Sequence, residues 1–168
     1  MEPGSTATTE CLPMIEPARF EDLDSLVALL GVLFTQESEM QPDAAKQRAG
    51  LAAILANPAA GQLFVARNDD GAIPGARGEV VGMIGLLYTI STALGGPVGV
   101  VEDFVVRPDF RGRGIGQSLM DAVFRHAKER GLLRLTLQTD RDNVAAQRMY
   151  ERYGFRPSTM LMMKCHLK

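Results

Sequence analysis

Tryptophan is absent from the 168 residues, aromatics make up 6% of them, and cysteine occurs twice, as Cys11 and Cys165. A chain so poor in rings must fill its core with Leu, Val, Ile, Ala and Met. Two cysteines near opposite ends cannot build a disulfide framework, and no Cys-x-x-Cys or His-rich spacing offers zinc ligands. They read as two unpaired thiols in a reducing compartment. His126 and His166 have no partner at ligand spacing, so no metal site is expected. Excess positive charge is missing too: 18 Lys and Arg against 20 Asp and Glu leave a net charge of −2, with a pI near 5.7. Neutralising nucleic-acid phosphates takes cations in excess, so no nucleic-acid partner is expected. No run approaches the ~18 apolar residues of a membrane-spanning helix. Met1 to Leu12 has neither a basic n-region nor an apolar h-region. The expectation is a soluble, cytoplasmic protein with no membrane partner.

What is present fits an ordinary globular chain, with 46% apolar and 23% charged residues. Met1 to Pro13, rich in Gly, Ser, Thr and Pro, is expected to be a disordered leader, and 14–168 a single domain. Met14 to Arg19 is a short candidate strand. Leu23, Leu26, Val27, Leu30 and Phe34 recur at helical spacing behind the acidic Glu21 and Asp22. A second helix is predicted from about Asp43 to Ala56, ended by Asn57-Pro58. Gln62 to Arg67 is a compact strand, and Asn68 to Gly78 a loop. Glu79 to Thr92 and Val98 to Arg107, joined by Leu94-Gly95-Gly96-Pro97, read as an antiparallel hairpin. Ile115, Leu119, Ala122, Val123 and Ala127 mark the buried face of a third helix that Gly131 ends. A strand over Leu132 to Gln138, a helix over Val144 to Tyr153 stopped by Gly154, and a last strand over Met160 to Leu167 complete the order. Met160, Met162 and Met163 are taken as core.

The segment Val101-Glu-Asp-Phe-Val-Val-Arg-Pro-Asp-Phe-Arg-Gly-Arg-Gly-Ile-Gly116 carries chemistry. Gly112, Gly114 and Gly116 sit at a strand-to-helix turn, where side chains would otherwise cover the backbone amides. The helix aims its positive end at this turn, so a phosphate is the natural ligand. Arg111 and Arg113 add bidentate donors. The alternative is a tight turn whose glycines only satisfy left-handed dihedrals. A Rossmann fingerprint needs Gly-x-Gly-x-x-Gly, and a P-loop needs a lysine where Gln117 stands. Neither fits.

The pattern Arg111-x-x-Gly114-x-Gly116, followed by Asn143-x-x-Ala146-x-x-x-Tyr150-x-x-x-Gly154-Phe155, resembles the GNAT superfamily of N-acetyltransferases. The resemblance implies an α/β (α+β) fold with a mixed, mostly antiparallel twisted sheet, splayed at its centre and flanked by about four helices. It implies acetyl-CoA as co-substrate, with no metal. Backbone at Phe104, Val105 and Val106 would pair with the pantetheine arm, and the amide of Val105 or Val106 would hold the thioester oxygen. Amides of Gly112, Arg113, Gly114, Ile115, Gly116 and Gln117, with Arg111 and Ser118 beside them, would take the pyrophosphate. Asn143 and Ala146 would meet the cofactor from the second helix, and Tyr150 would protonate the departing thiolate. The reaction implied is direct acetyl transfer to a primary amine, without an acyl-cysteine. A non-catalytic acyl-CoA-binding or sensing module is the alternative reading.

Val101 to Val106 is similar to the corresponding strand of diamine acetyltransferases, which implies that Glu102 helps deprotonate the amine. An amine of pKa near 10.4 is roughly 0.1% neutral at pH 7.4, a cost of roughly 4 kcal/mol, which a nearby carboxylate relieves in part. Strand alternation puts Asp103 on the face opposite Glu102, so one of the two lines the site. A carboxylate that only binds a neighbouring arginine remains the competing reading for Glu102, and ring packing the one for Tyr150. The resemblance implies a small-molecule or peptide amine as acceptor. Glu37 and Glu39, in the 30–42 region, could attract a cation or simply be a solvated helix end. A homodimer follows from family analogy alone.

Overall fold

The computed structural model describes residues 13–36, 41–68 and 77–167. The expected leader, apart from Pro13, lies outside these residues, together with Cys11, Glu37, Glu39 and the centre of the 68–78 loop. The chain divides into two compact units, one ending at Leu135 and the other beginning at Thr136.

In the first unit the β-branched and apolar runs become strands. They are β1 (Met14–Pro17), β2 (Gly61–Arg67), β3 (Val80–Ser91) and β4 (Gly96–Val106). Each pairs antiparallel with the next. The β3–β4 turn comes earlier than the Gly-Gly-Pro signal placed it. Residues 92–95 make the turn, Gly95 supplies a φ of +70°, and Pro97 already lies opposite Ile90 within the ladder. A fifth strand, β5 (Leu135–Leu137), is shorter than the expected Leu132 to Gln138. Leu133 N donates to Pro97 O (2.8 Å) and Gly99 N donates to Arg134 O (2.9 Å). The pairing advances in the same sense on both chains, so this strand runs parallel to β4. The sheet is mixed, mostly antiparallel and open.

Three helices of the first unit accompany it among the described residues. Helix α1 (Leu23–Gln36) opens on a 3-10 turn at Phe20–Asp22, where Arg19 N donates to Asp22 Oδ2 (2.9 Å). Its stripe buries Leu26, Leu29 and Leu30, with the predicted Leu23, Val27 and Phe34 partly buried. Helix α2 (Ala44–Ala56) begins at Asp43, whose carboxylate accepts from the N–H groups of Ala45 and Lys46. Both helices share a core with Leu63, Val65, Met83 and Val105. Helix α3 (Ile115–Glu129) lies on the opposite face, with Ile115, Leu119, Met120, Ala122, Val123 and Ala127 buried. Two glycines of β3, an odd number of positions apart, mark the two faces. A Cβ on Gly85 would stand 3.3 Å from Leu63 Cδ2, and one on Gly82 would stand 3.2 Å from Leu119 Cδ1.

Helix α3 ends as its glycine predicts. Gly131 adopts φ +66°, its N–H bonds Lys128 O, and the N–H of Leu132 bonds Ala127 O, a Schellman stop. Near the start of the chain, Arg67 of β2 holds Glu16 (2.8 Å) and the buried Asp22 (2.7 Å), tying β1 and the entry to α1 to the sheet.

The second unit contains α4 (Val144–Arg152). The strand expected over Met160–Leu167 is not there: no described residue after Gly154 belongs to a helix or strand. The expected core methionines Met160 and Met163 are each 87% exposed, and Met162 is 44% exposed. Apolar content alone does not make a strand, since Met and Leu carry no strong extended preference and a strand needs a ladder partner. Pro157 and Ser158 break the entry instead, and Ser158 Oγ accepts from Met160 N (3.1 Å).

Candidate active site at the glycine turn

The site begins with an irregularity in β4. Met83 pairs with Val105 but Gly85 pairs with Glu102, so Ile84 alone faces both Asp103 and Phe104. This is a β-bulge, and Asp103 absorbs it with a φ of +52°, a left-handed conformation that aspartate tolerates better than most residues. The expected alternation therefore fails here. Because of the extra residue, Glu102 and Val105 leave the sheet on the same face although three positions apart, and alternation no longer assigns Asp103 to the other side. Glu102 is exposed and stands opposite Gly85 on the face that α1 and α2 cover. A Cβ on Gly85 would stand 3.2 Å from Glu102 O, so the backbones approach closely there. Val105 is buried, and Phe104 and Val106 are half-buried.

Past the strand, Arg107 N bonds Val81 O (2.9 Å), and Pro108–Phe110 form a single 3-10 turn. Phe110 is 2% exposed and anchors the turn to the core. Gly112 and Gly114 both take φ +77°, and no heavy atom lies within 4 Å of a Cβ built on Gly112. Helix α3 then starts at Ile115 with Gly114 as its N-cap. No side-chain oxygen caps it and no acidic residue occupies its first turn. The N–H groups of a helix's first turn have no intrahelical acceptor, and here no carboxylate competes for them. The glycines of the turn satisfy left-handed dihedrals, and the turn stands at the start of a long helix, where the helix dipole favours an anion.

Both arginines of the turn bond to neighbouring protein groups. Arg111 donates from Nε to Val106 O (3.0 Å) and from Nη2 to Gln36 Oε1 (3.3 Å), bracing the turn against the end of α1. Arg113 reaches Asp109 O (3.4 Å) and lies 5.8 Å from the Phe110 ring centre. Ser118 Oγ donates to Gly114 O (3.3 Å), closing the first turn of α3.

A cleft of about 610 Å³ opens on the α1 side between that helix and the start of β3. The ion-paired Arg67 and Arg107 stand at its walls, and none of the site residues expected from the sequence lines it.

In the second unit, the motif residues explain α4. Asn143 is its N-cap, and Asn143 Oδ1 accepts from Ala146 N (3.1 Å), so these two expected cofactor residues bond each other. Gly154, at φ +88°, ends the helix with a second Schellman stop: its N–H bonds Glu151 O, and Phe155 N bonds Tyr150 O. The rings of Tyr150 and Phe155 meet edge to face, 6.0 Å between centres. Burial pushes the Tyr150 hydroxyl above its usual pKa, so it stays protonated at neutral pH.

Residues that sequence reasoning passed over are Gln36, Glu79, Arg107, Asp109 and Phe110. The available signal was Phe110, an apolar residue inside an otherwise polar Pro-Asp-x-Arg-Gly turn. Among the described residues, no group of three or more His, Cys, Asp or Glu could hold a metal ion, and no helix is long and apolar enough to cross a membrane.

Comparison with known proteins places this geometry. Residues 24–155 match the family model described as Acetyltransferase (GNAT) family. Mycothiol acetyltransferase of Propionibacterium freudenreichii is 33% identical over 141 residues, covering 82% of this chain and 41% of that protein. Aminoalkylphosphonate N-acetyltransferase of Salmonella typhimurium is 32% identical over 141 residues, covering 84% of this chain and 83% of that protein. The chain thus spans about two fifths of the length of the first relative and most of the second. Among solved structures, an integron cassette protein from the Cole Harbour Salt Marsh metagenome superposes with a TM-score of 0.75. It is 26% identical, with 92% of this chain and 90% of that chain covered. A family model matched over 24–155, a relative 32% identical over most of both chains and a shared fold agree, and the chain belongs to the acetyltransferase (GNAT) family.

Proposed function

We propose that the chain is an acetyl-CoA-dependent N-acetyltransferase that passes acetyl directly to a primary amine of a small molecule. The observation that carries this reading is the uncapped start of the 15-residue α3, preceded by two left-handed glycines and following a bulged strand that presents Glu102. That arrangement suits the pyrophosphate of CoA. The amides from Gly112 to Gln117 would hold it, with Arg111, Arg113 and Ser118 adjusting the turn. Backbone at Phe104, Val105 and Val106 would pair with the pantetheine arm.

In the proposed reaction Glu102, directly or through water, accepts the proton that the amine must lose. The amine nitrogen then forms a bond to the thioester carbonyl carbon. The amide N–H of Val106, which points away from β3 where those of Val105 and Arg107 point towards it, would stabilise the charge that grows on the carbonyl oxygen. As the carbon–sulfur bond breaks, Tyr150 returns a proton to the sulfur, and an amide and free CoA leave. Asn143 and Ala146, the capped start of α4, would meet the cofactor. Two relatives are named for mycothiol and for aminoalkylphosphonate acetylation, which supports a small amine acceptor for this chain.

A thiol-release screen with acetyl-CoA tests the proposal, run across polyamines, amino sugars, amino acids, aminoalkylphosphonates and peptide amines, with CoA calorimetry beside it. Turnover with one class of small amine is the expected result. CoA binding with no release on any amine would favour the sensing module. No CoA binding at all would remove the reading.

A further inference from the structure

We propose that Arg107 is a positioning residue that sets the geometry of the cofactor turn through Asp109 and Phe110. The proposal rests on the reading above, that this turn receives the CoA pyrophosphate.

Two left-handed glycines make the turn soft, because glycine gives up the most conformational freedom on ordering. Something else must hold the amides in place. Arg107 sits where β4 ends and makes five contacts, three to the turn and two to Val81 and Glu79 at the start of β3. Its N–H bonds Val81 O (2.9 Å), which fixes its own backbone to β3. Its guanidinium grips Asp109 with two bonds, Nε to Oδ1 (3.0 Å) and Nη2 to Oδ2 (2.6 Å). The remaining Nη1 donates to Glu79 Oε2 (2.6 Å), just ahead of β3. The same guanidinium stacks 4.5 Å from the centre of the buried Phe110 ring, whose other cationic neighbour is Arg113. Asp109 carries the turn onward, since its carbonyl accepts from Arg113.

The pairs are partly exposed, so each is worth little to global stability. Their use is local. Planar, bidentate recognition of Asp109 fixes both the position and the orientation of the turn, which a point charge such as lysine cannot do. Arg107 holds the Asp109 carboxyl below its ordinary pKa, consistent with an intimate pair.

Positioning and simple electrostatics make opposite predictions for Asp109. Removing a negative charge beside a phosphate site should tighten CoA binding if charge alone matters, and weaken it if Asp109 is a link in a brace. The experiment measures CoA affinity by calorimetry for the unmodified chain, Arg107→Gln and Asp109→Asn. Both variants are expected to raise Kd about ten-fold or more, since misplacing a preorganised group by ~1 Å can cost up to ~100-fold. With the amine found in the screen, kcat/KM for S-acetylpantetheine, which has no pyrophosphate, should stay within about two-fold. Asp109→Asn that binds CoA as well as or better than the unmodified chain overturns the proposal. So does an equal loss with S-acetylpantetheine, which would mean general damage. If Arg107→Gln fails to fold, Asp109→Asn, which leaves Phe110 in place, carries the test alone. Failure of the unmodified chain to bind CoA would remove the proposed function itself, whereas normal binding with unaffected variants removes only the positioning role.

Discussion

Glu102 and Tyr150 would divide the proton traffic of the proposed reaction. Glu102 is exposed on the bulged strand, where water can carry a proton to or from it. Burial raises the Tyr150 hydroxyl further above neutral pH, so it is a proton donor and not an acceptor there. Glu102→Gln should lower turnover at neutral pH, and activity should climb back as pH rises and solvent deprotonates the amine. A pH–rate profile from pH 6 to 10 checks this, and a variant profile parallel to that of the parent demotes Glu102 to a passive carboxylate. Tyr150→Phe keeps the ring that packs on Phe155 and removes only the donor. General acid catalysis is typically worth about 10²–10⁴-fold, so the single-turnover rate should fall within or below that range while CoA affinity holds. A lower melting temperature with an unchanged chemical step would show that the ring packs and does not protonate.

At the scale of elements, β4 is shaped by two glycines, Gly85 on the neighbouring β3 and Gly99 within β4 itself. Gly85 permits the close approach at the bulge, and Gly99 permits β5 to seat beside β4. A Cβ on Gly99 would stand 2.7 Å from Leu135 Cδ2, 2.7 Å from Leu86 Cδ1 and 3.1 Å from Leu132 Cδ1. Gly99→Ala should therefore destabilise by about 1–3 kcal/mol, the usual range for overpacking. Chemical denaturation measures it. A loss confined to a few tenths would mean that the three leucines rotate aside. The same variant leaves the α3 turn untouched, so CoA affinity in the folded fraction should be unchanged.

For the molecule as a whole, pH acts through the contact between sheet and helix. Tyr88 of β3 and His126 of α3 share a 2.7 Å hydrogen bond, Arg130 lies 4.1 Å above the Tyr88 ring, and Phe64 meets the imidazole edge to face. Burial and then Arg130 push the His126 pKa below its usual 6.5, against a smaller opposing pull from Glu129. Unfolding therefore takes up a proton once pH drops under about 6.5. The stabilisation is complete above that value and is lost as pH falls through the lowered folded-state pKa. Thermal melts between pH 7.5 and 5 should show this decline, and His126→Asn should flatten the part of it that His126 causes. An identical decline in the variant would assign it to carboxylates elsewhere.

Local rules reached far into this protein. Helical spacing marked the buried face of α3, and Asp43, Gly131 and Gly154 marked helix ends, because capping and left-handed dihedrals are satisfied within a few residues of the chain. The glycine turn and the downstream Asn143–Phe155 pattern were legible for the same reason, and Asn143 serves α4 as its N-cap. Tertiary structure decided what depends on a partner strand or a packed ring. The bulge at Asp103 exists only in the register against β3, and it is this register, not alternation, that sends Glu102 and Val105 to one face. The run Met160–Leu167 has an apolar composition suited to a strand and no ladder to join. Arg107, Asp109 and Phe110 look like ordinary loop residues until Glu79 and Val81 of a distant segment close on them. A sequence specifies short-range geometry directly, whereas pairing across the sheet is chosen by the free energy of the folded whole.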